Sequence, residues 1–404
     1  MRLPVMGACA LFLLLGTVGV RDAGALNLGP LTATPYVSES AVYDDNVFVQ
    51  NTGSEVADWY FLTSPGMLLK LRQRDNLFEA EYRADIYRYI KTGDLNDVTD
   101  QFVRGAFNFN FPGGLSIKLD DLFSMAHEPK SSINAGVIGV TPKSRFDSNE
   151  LGAEVAYALS DRFKTALAYR YYTISYDLDA NTFRDRDENS ADLTVFYRFL
   201  PKTSVLLEGI YKNVQHNNTS GPFGSIAPLL NSDEYWGMAG LTWDITAKST
   251  GSVKAGYESK QFRSGSQRSF DSPVYQVSIV HNFTPKTAFT LTGTRQADET
   301  DDPTVSYYTT TNGMLEIRYR PVRKIEIRPH GSYTYERYSG PTSIAGLPPI
   351  RRIDHVFDAG IELTYNIQKW LGVSLGYTHT KRASDLTFYD YTDNTALAQL
   401  KFSL

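Results

Sequence analysis

The side chains best suited to chemistry in this sequence are carboxylates set two residues apart. Glu79 and Glu81 are of the types that serve a glycosidase as acid and nucleophile, facing each other across ~5 Å or a wider gap. Residues i and i+2 of any extended chain meet that spacing, so spacing alone does not select catalysis. In the stretch 177–188, Asp177, Asp179, Asn181, Asp185 and Glu188 place oxygen side chains at calcium-loop positions 1, 3, 5, 9 and 12. Thr182 stands where that loop needs its turn glycine, and Arg184 and Arg186 oppose a cation, so a solvated loop is expected. Gly372-Val373-Ser374-Leu375-Gly376 matches a nucleophile elbow, but that motif needs a strand-to-helix turn, and here Ser374 lies inside an alternating strand with His379 on the other face. The six histidines lack metal-ligand spacing. No nucleophile–base pair, metal set or cofactor motif emerges, and the expectation is a non-enzymatic protein.

Those carboxylates belong to a wider pattern. In Leu77–Tyr87, Phe78, Ala80, Tyr82, Ala84 and Ile86 share one face, and Glu79, Glu81, Arg83 and Asp85 share the other. The alternation returns at 151–157, 191–199, 315–320 and 357–365, near the ~9 to 11 residues that a tilted transmembrane strand requires. Tight-turn signals at 74–76, 112–114, 160–162, 200–202, 245–248, 284–286, 321–324 and 368–370 alternate with longer polar stretches near 48–57, 91–99, 127–147, 177–189, 215–232, 263–271, 298–304, 339–352 and 383–388. Eight tight turns and nine loops predict about eighteen strands. The fold class expected is all-β: an antiparallel, up-and-down outer-membrane β-barrel with periplasmic turns and external loops.

In that frame the polar face lines a lumen of mixed sign. Glu79, Glu81, Arg83, Asp85, Arg104, Lys118, Asp120, Glu154, Lys164, Arg170, Asp192, Arg198, Glu208 and Lys212 all point inward by parity. A barrel of this size holds an aqueous channel unless a loop plugs it. Tyr87, Tyr89, Phe102, Tyr172, Phe196 and Tyr308 also point inward, either to stack on sugar rings or to pack under folded-in loops. Outward aromatics near the turns, among them Phe111, Phe163, Phe199, Trp243, Phe283 and Trp370, form an interfacial girdle.

At 404 residues a soluble chain would hold two or three domains. Composition argues against that: aromatics reach 13% and charged residues 21%, as on a surface that meets two solvents. A net charge of −5 gives no attraction for nucleic acid. Arg2, the apolar run 3–20 and Ala23-Gly24-Ala25 predict a cleaved signal peptide over residues 1–25, leaving a barrel over 26–404. The single cysteine, Cys9, lies inside that leader, and a lipoprotein through Cys9 is the weaker alternative. The expected location is the outer membrane of a Gram-negative-type bacterium, with outer-membrane lipid and the barrel-assembly machinery as partners. The last strand supports this, with Ala396, Ala398, Leu400, Phe402 and Leu404 on an apolar outer face.

One stretch goes beyond architecture. Pro35–Phe48, with Tyr43, Asp44, Asp45, Asn46, Val47 and Phe48 as its most specific part, and then Pro65-Gly66, resembles the opening of β-barrel porins found with bacterial capsule and exopolysaccharide biosynthesis systems. Locally, Asp44, Asp45 and Asn46 could satisfy turn amides where the first strand ends. The resemblance implies a conduit for exporting capsular polysaccharide or exopolysaccharide, working with a periplasmic polysaccharide export protein and an inner-membrane synthase. Read from the residues alone, a passive diffusion porin for small hydrophilic solutes and a plugged structural or adhesive barrel stay open.

Overall fold

The computed structural model describes residues 26–128, 144–246, 248–265, 267, 269–300, 302–342 and 348–403. The leader, with Cys9, and most of the 127–147 loop lie outside them. A three-residue strand, β1 (Leu26–Leu28), pairs with the start of β2 (Leu31–Asp44). There follow β3 (Asp58–Gln73), β4 (Asn76–Tyr89), β5 (Val98–Asn110), β6 (Leu115–His127), β7 (Arg145–Ala158), β8 (Phe163–Tyr176), β9 (Arg186–Leu200) and β10 (Thr203–His216). The second half holds β11 (Ser232–Thr246), β12 (Ser249–Phe262), β13 (Phe270–Thr284), β14 (Thr287–Glu299), β15 (Tyr307–Tyr319), β16 (Ile325–Thr342), β17 (Ile350–Gln368), β18 (Leu371–Ser384) and β19 (Tyr391–Ser403).

From β2 onward each strand pairs antiparallel with the next, and β19 returns to β2 with Ala398 opposite Ala41. The sheet is thus a closed barrel of 18 strands, with eight tight turns at one end and nine longer connections at the other. Closure removes the unpaired edges that a sheet would otherwise expose. The strands run 13 to 19 residues, longer than the hydrocarbon crossing needs, so their ends extend the wall past the apolar band.

The two faces divide as the alternation requires. In β9, Leu193 is 53% exposed on the outside, and Thr194 beside it is 7% exposed within. Leu167, Leu207, Leu315, Ile361 and Leu375 repeat the exposed outer position on other strands. The girdle at the turn end is present in Phe111, Phe163, Phe199, Phe283 and Trp370, all exposed. A second exposed set, Trp59, Tyr169, Tyr211, Tyr235, Tyr257 and Tyr377, lies toward the loop end.

One departure from the regular ladder has a local cause. The β13–β14 register stops at Tyr275 opposite Arg295. The Pro273 carbonyl points to β14, where Arg295 Nε donates to it at 3.1 Å. An antiparallel residue presents its N–H and C=O to the same neighbour, and proline has no N–H to present. Above this point the Ala297 N–H donates instead to the Glu258 carboxylate of β12, at 3.0 Å.

The loop-end connections fold onto one another. Phe183, in the 3₁₀ turn Asp179–Arg184, packs with Ala227 and Leu230 of the 217–231 connection, and Phe223 and Ile226 complete the cluster. The stretch 177–188 was expected to be solvated, yet Asn181 and Phe183 are 1% exposed. Burying an aromatic outweighs the polarity of its neighbours once a second loop supplies an apolar partner.

Candidate functional site

The charges named from sequence lie on the strand face opposite the exposed apolar residues, and most meet an opposite charge on their own or another strand. Lys70 reaches Glu79 at 3.0 Å, Lys118 reaches Glu154 at 2.9 Å, and Arg170 lies 3.8 Å from Glu150. Glu208 binds Lys254 at 2.6 Å, and Arg83 contacts Asp85 at 3.2 Å with its guanidinium 4.6 Å from the Phe102 ring. Glu81 accepts the Tyr36 hydroxyl at 2.6 Å, Asp192 accepts from Thr194 at 3.0 Å, and Arg198 donates to the Asp161 carbonyl. Arg104 stands opposite Glu81 in the β4–β5 register. Glu79 and Glu81 share a face, but each is bound to a different neighbour, as structural lumen charges are. Ser374 lies mid-strand in β18 with its hydroxyl 2.9 Å from that of Thr364.

The inward aromatics are engaged too. Tyr172 and Phe196 lie 5.7 Å from Arg186 and Lys164 respectively, and Tyr308 stacks on Tyr338 at 5.1 Å. Tyr87 and Tyr89 group with Tyr60 at ring distances of 6.0 and 4.7 Å.

Toward the loop end lies a network that residue-by-residue inspection missed. Arg186 binds Glu188 at 2.7 Å, Lys212 lies 3.6 Å from Glu188 and 2.8 Å from Glu234, and Lys260 joins Glu234 at 2.7 Å and also Glu299. A second group links Arg352 to Asp354 at 2.6 Å, and Arg382 to Asp354 and to Glu336, the latter at 3.0 Å. Arg352 is held between Tyr338 and the loop residue Tyr389, at 4.5 and 3.6 Å from their rings. Glu234, Glu258, Lys260, Arg352 and Asp354 are 0% exposed. A barrel wall is one residue thick, so inward side chains reach that burial only when other chain covers them from the lumen side. Tyr389 from 385–390 does so, and the Phe183 carbonyl lies 3.3 Å from inward-facing His216 Nδ1. Lys212, Lys260 and Arg382 sit against carboxylates of other strands, and Arg186 and Arg352 against one on their own, as burial of charge demands.

Three of the oxygens at calcium-loop positions, those of Asp177, Asp185 and Glu188, meet separate partners. Asp177 accepts the Arg145 N–H, Asp185 accepts the Tyr176 N–H and the Asn218 amide, and Glu188 belongs to the ion-pair network. Burial pushes the Asp185 carboxyl above its ordinary value, against the pull of Asn218 and the Tyr176 N–H. Among the described residues the carboxylates that converge are Asp44, Asp45 and Asp393. They sit at the β2–β19 closure, where the Tyr43–Phe48 segment ties the barrel shut. Asp45 accepts the Asn394 N–H and side-chain amide, both at 2.7 Å, while Asn46 donates to the Thr392 and Gln50 carbonyls. Asp44 accepts the Asn46 N–H at 2.9 Å.

At the opposite end the turns carry a one-sided charge. The turn residues Arg74, Arg162, Lys202, Lys248, Lys286, Arg320, Arg323, Lys324 and Lys369 outnumber the turn carboxylates Asp75 and Asp161, and Arg320 pairs with Glu326 of β16. Apart from the half-buried Arg320, these cations are exposed.

The sequence matches the family model described as "Putative beta-barrel porin 2" over residues 22–404. No curated protein matches it significantly. Among solved structures it is similar to OccAB4 of Acinetobacter baumannii, at 9% identity and a TM-score of 0.44, with 92% of this chain and 98% of that one covered. It is likewise similar to OpdK of Pseudomonas aeruginosa, at 10% identity and a TM-score of 0.45, covering 92% and 98% of the two chains. OccK2 (OpdF) of the same organism, solved in complex with glucuronate, gives 9% identity and a TM-score of 0.48, covering 93% and 98%.

Proposed function

Since the chain belongs to the family described as "Putative beta-barrel porin 2", we propose that it forms a channel for small hydrophilic solutes in the outer membrane of a Gram-negative-type bacterium, with its turns in the periplasm and its loops outside. The observation that carries the size limit is the crowded loop end, where Tyr389 covers Arg352, the Phe183 carbonyl lies against His216, and Glu234, Lys260 and Asp354 have no exposed surface. A hydrated mouth kept open for a polymer would leave those charges in water. The paired charges further down suit passage of polar solutes, because alternating signs hydrate the wall without holding one ion tightly.

Export of capsular polysaccharide or exopolysaccharide, which the Tyr43–Phe48 resemblance implies, is the competing reading. It requires 177–185, 217–231 and 385–390 to leave the mouth together, and a periplasmic export protein to deliver the polymer. The deciding experiment reconstitutes the full-length barrel in planar bilayers and liposomes. Discrete ion-conducting steps, with liposome entry of monosaccharides but not of long dextrans, are expected. Free dextran passage, with loss of surface polysaccharide in a deletion strain, would replace this reading with export.

A further inference from the structure

We propose that a concavity in the lumen wall at the turn end, spanning β3 to β6, binds a hydroxylated organic anion of the sugar-acid class; its role in transport rests on the channel reading above. The cavity has a volume of about 490 Å³, and Arg72, Arg74, Asn76, Asn108, Asn110 and Lys118 are among the residues lining it. That is the size range of small-molecule sites.

Cross-strand register builds it. Arg72 stands opposite Leu77, Leu77 opposite Asn108, and Asn108 opposite Lys118, so two cations and an amide sit in one row along the wall. Lys118 already shares its charge with Glu154 at 2.9 Å, and Asp75 is the one carboxylate in the lining. Asn110 is committed to the Asp75 carbonyl through its side chain, and through its N–H to Asn76. Arg72, Arg74 and the Asn108 amide have no side-chain partner among the described residues.

Arg74 occupies the two-residue turn between β3 and β4. Its φ of 56° lies in the left-handed region, which L-residues other than asparagine, aspartate and glycine rarely occupy. An exposed arginine gains nothing from that conformation by packing. The conformation is that of the two-residue hairpin turn between β3 and β4, and from this turn Arg74 lines the cavity beside Arg72.

The chemistry follows from the donors. Two unpaired guanidiniums offer planar forks that match a carboxylate. The amide of Asn108 both donates and accepts, as vicinal hydroxyls require. The basic rim of the neighbouring turns adds a positive potential that gathers anions at this mouth.

The test uses the full-length barrel in detergent, with galacturonate, galactose and acetate as probes followed by calorimetry. Galacturonate should bind, more weakly as salt rises, while galactose and acetate bind at least tenfold more weakly. Arg72→Gln with Arg74→Asn should weaken galacturonate at least tenfold, asparagine being chosen because it tolerates the left-handed turn. Either single substitution carries the test if the pair fails to fold. Lys202→Gln, on the same rim but outside the cavity, should leave binding unchanged. Equal weakening by Lys202→Gln, equal binding of acetate, or no galacturonate binding overturns the site. Ion conductance measured in parallel separates the two readings. Conductance without galacturonate binding removes the site and keeps the channel, and binding without conductance removes the channel and keeps the site.

Discussion

Leu193 and Thr194 are adjacent, yet one meets lipid and the other the lumen. Arginine at Leu193 should destabilise the barrel by ~2 to 4 kcal/mol, the cost of a cation at mid-bilayer on the lipid face. At Thr194 it would face Asp192 and Glu208 and should be tolerated. Urea unfolding in lipid, followed by tryptophan fluorescence, compares the two, and equal losses would contradict the inward and outward assignment. Lys260 poses the opposite problem, a charge held where no water reaches. Lys260→Met leaves the carboxylates of Glu234 and Glu299 facing each other without their shared cation. The expected loss is about 3 to 5 kcal/mol, as for other broken buried pairs. A loss that vanishes when Glu234→Gln and Glu299→Gln are added would assign the cost to the stranded charges.

Among the elements, the connections differ in kind more than in length. The turns are two to five residues that reverse the chain, whereas 177–185 and 217–231 bring their own apolar residues and bury them in each other. Replacing 218–230 by a short Gly-Ser linker should uncover Lys260 and Glu234 and raise single-channel conductance, and an unchanged conductance would show that this loop does not narrow the path. Topology is tested by single cysteines, which report cleanly if the leader carrying Cys9 is removed. Ser225→Cys, exposed in the 217–231 connection, should react with an impermeant maleimide in intact cells, and Lys286→Cys in its turn should not. The reverse labelling would invert the barrel in the membrane.

For the molecule as a whole, the lumen is both the functional space and the part that varies along its length. A narrowing residue placed inside should slow solute entry while the barrel still assembles. Ala106 suits this, since it is buried on the inner face of β5. Gly256 does not, because a Cβ there would lie 1.9 Å from the Gly237 carbonyl oxygen. Ala106→Trp should cut liposome entry of a monosaccharide severalfold at unchanged reconstitution. Unaltered entry would place the rate-limiting constriction elsewhere, with the crowded loop end as the remaining site.

Period-two alternation in stretches such as Leu77–Tyr87, with eight tight turns alternating with nine longer loops, was enough to determine an antiparallel barrel of about eighteen strands and the face that Glu79, Arg83, Lys118 and Asp192 share on their strands. These are local consequences of a pleat with one solvent on each face, and every strand reports them independently. The state of the lumen was decided only by tertiary structure. Phe183 reads as part of a charged loop until Ala227 and Leu230, more than forty residues on, provide its partners. The same holds for Arg352, the last residue of the polar stretch 339–352 by sequence, which folding places between Tyr338 and Tyr389. The cavity beside Arg72 and Arg74 likewise needs four strands in register. Alternation says which way a side chain points, but whether water is there to meet it depends on where the distant loops come to rest.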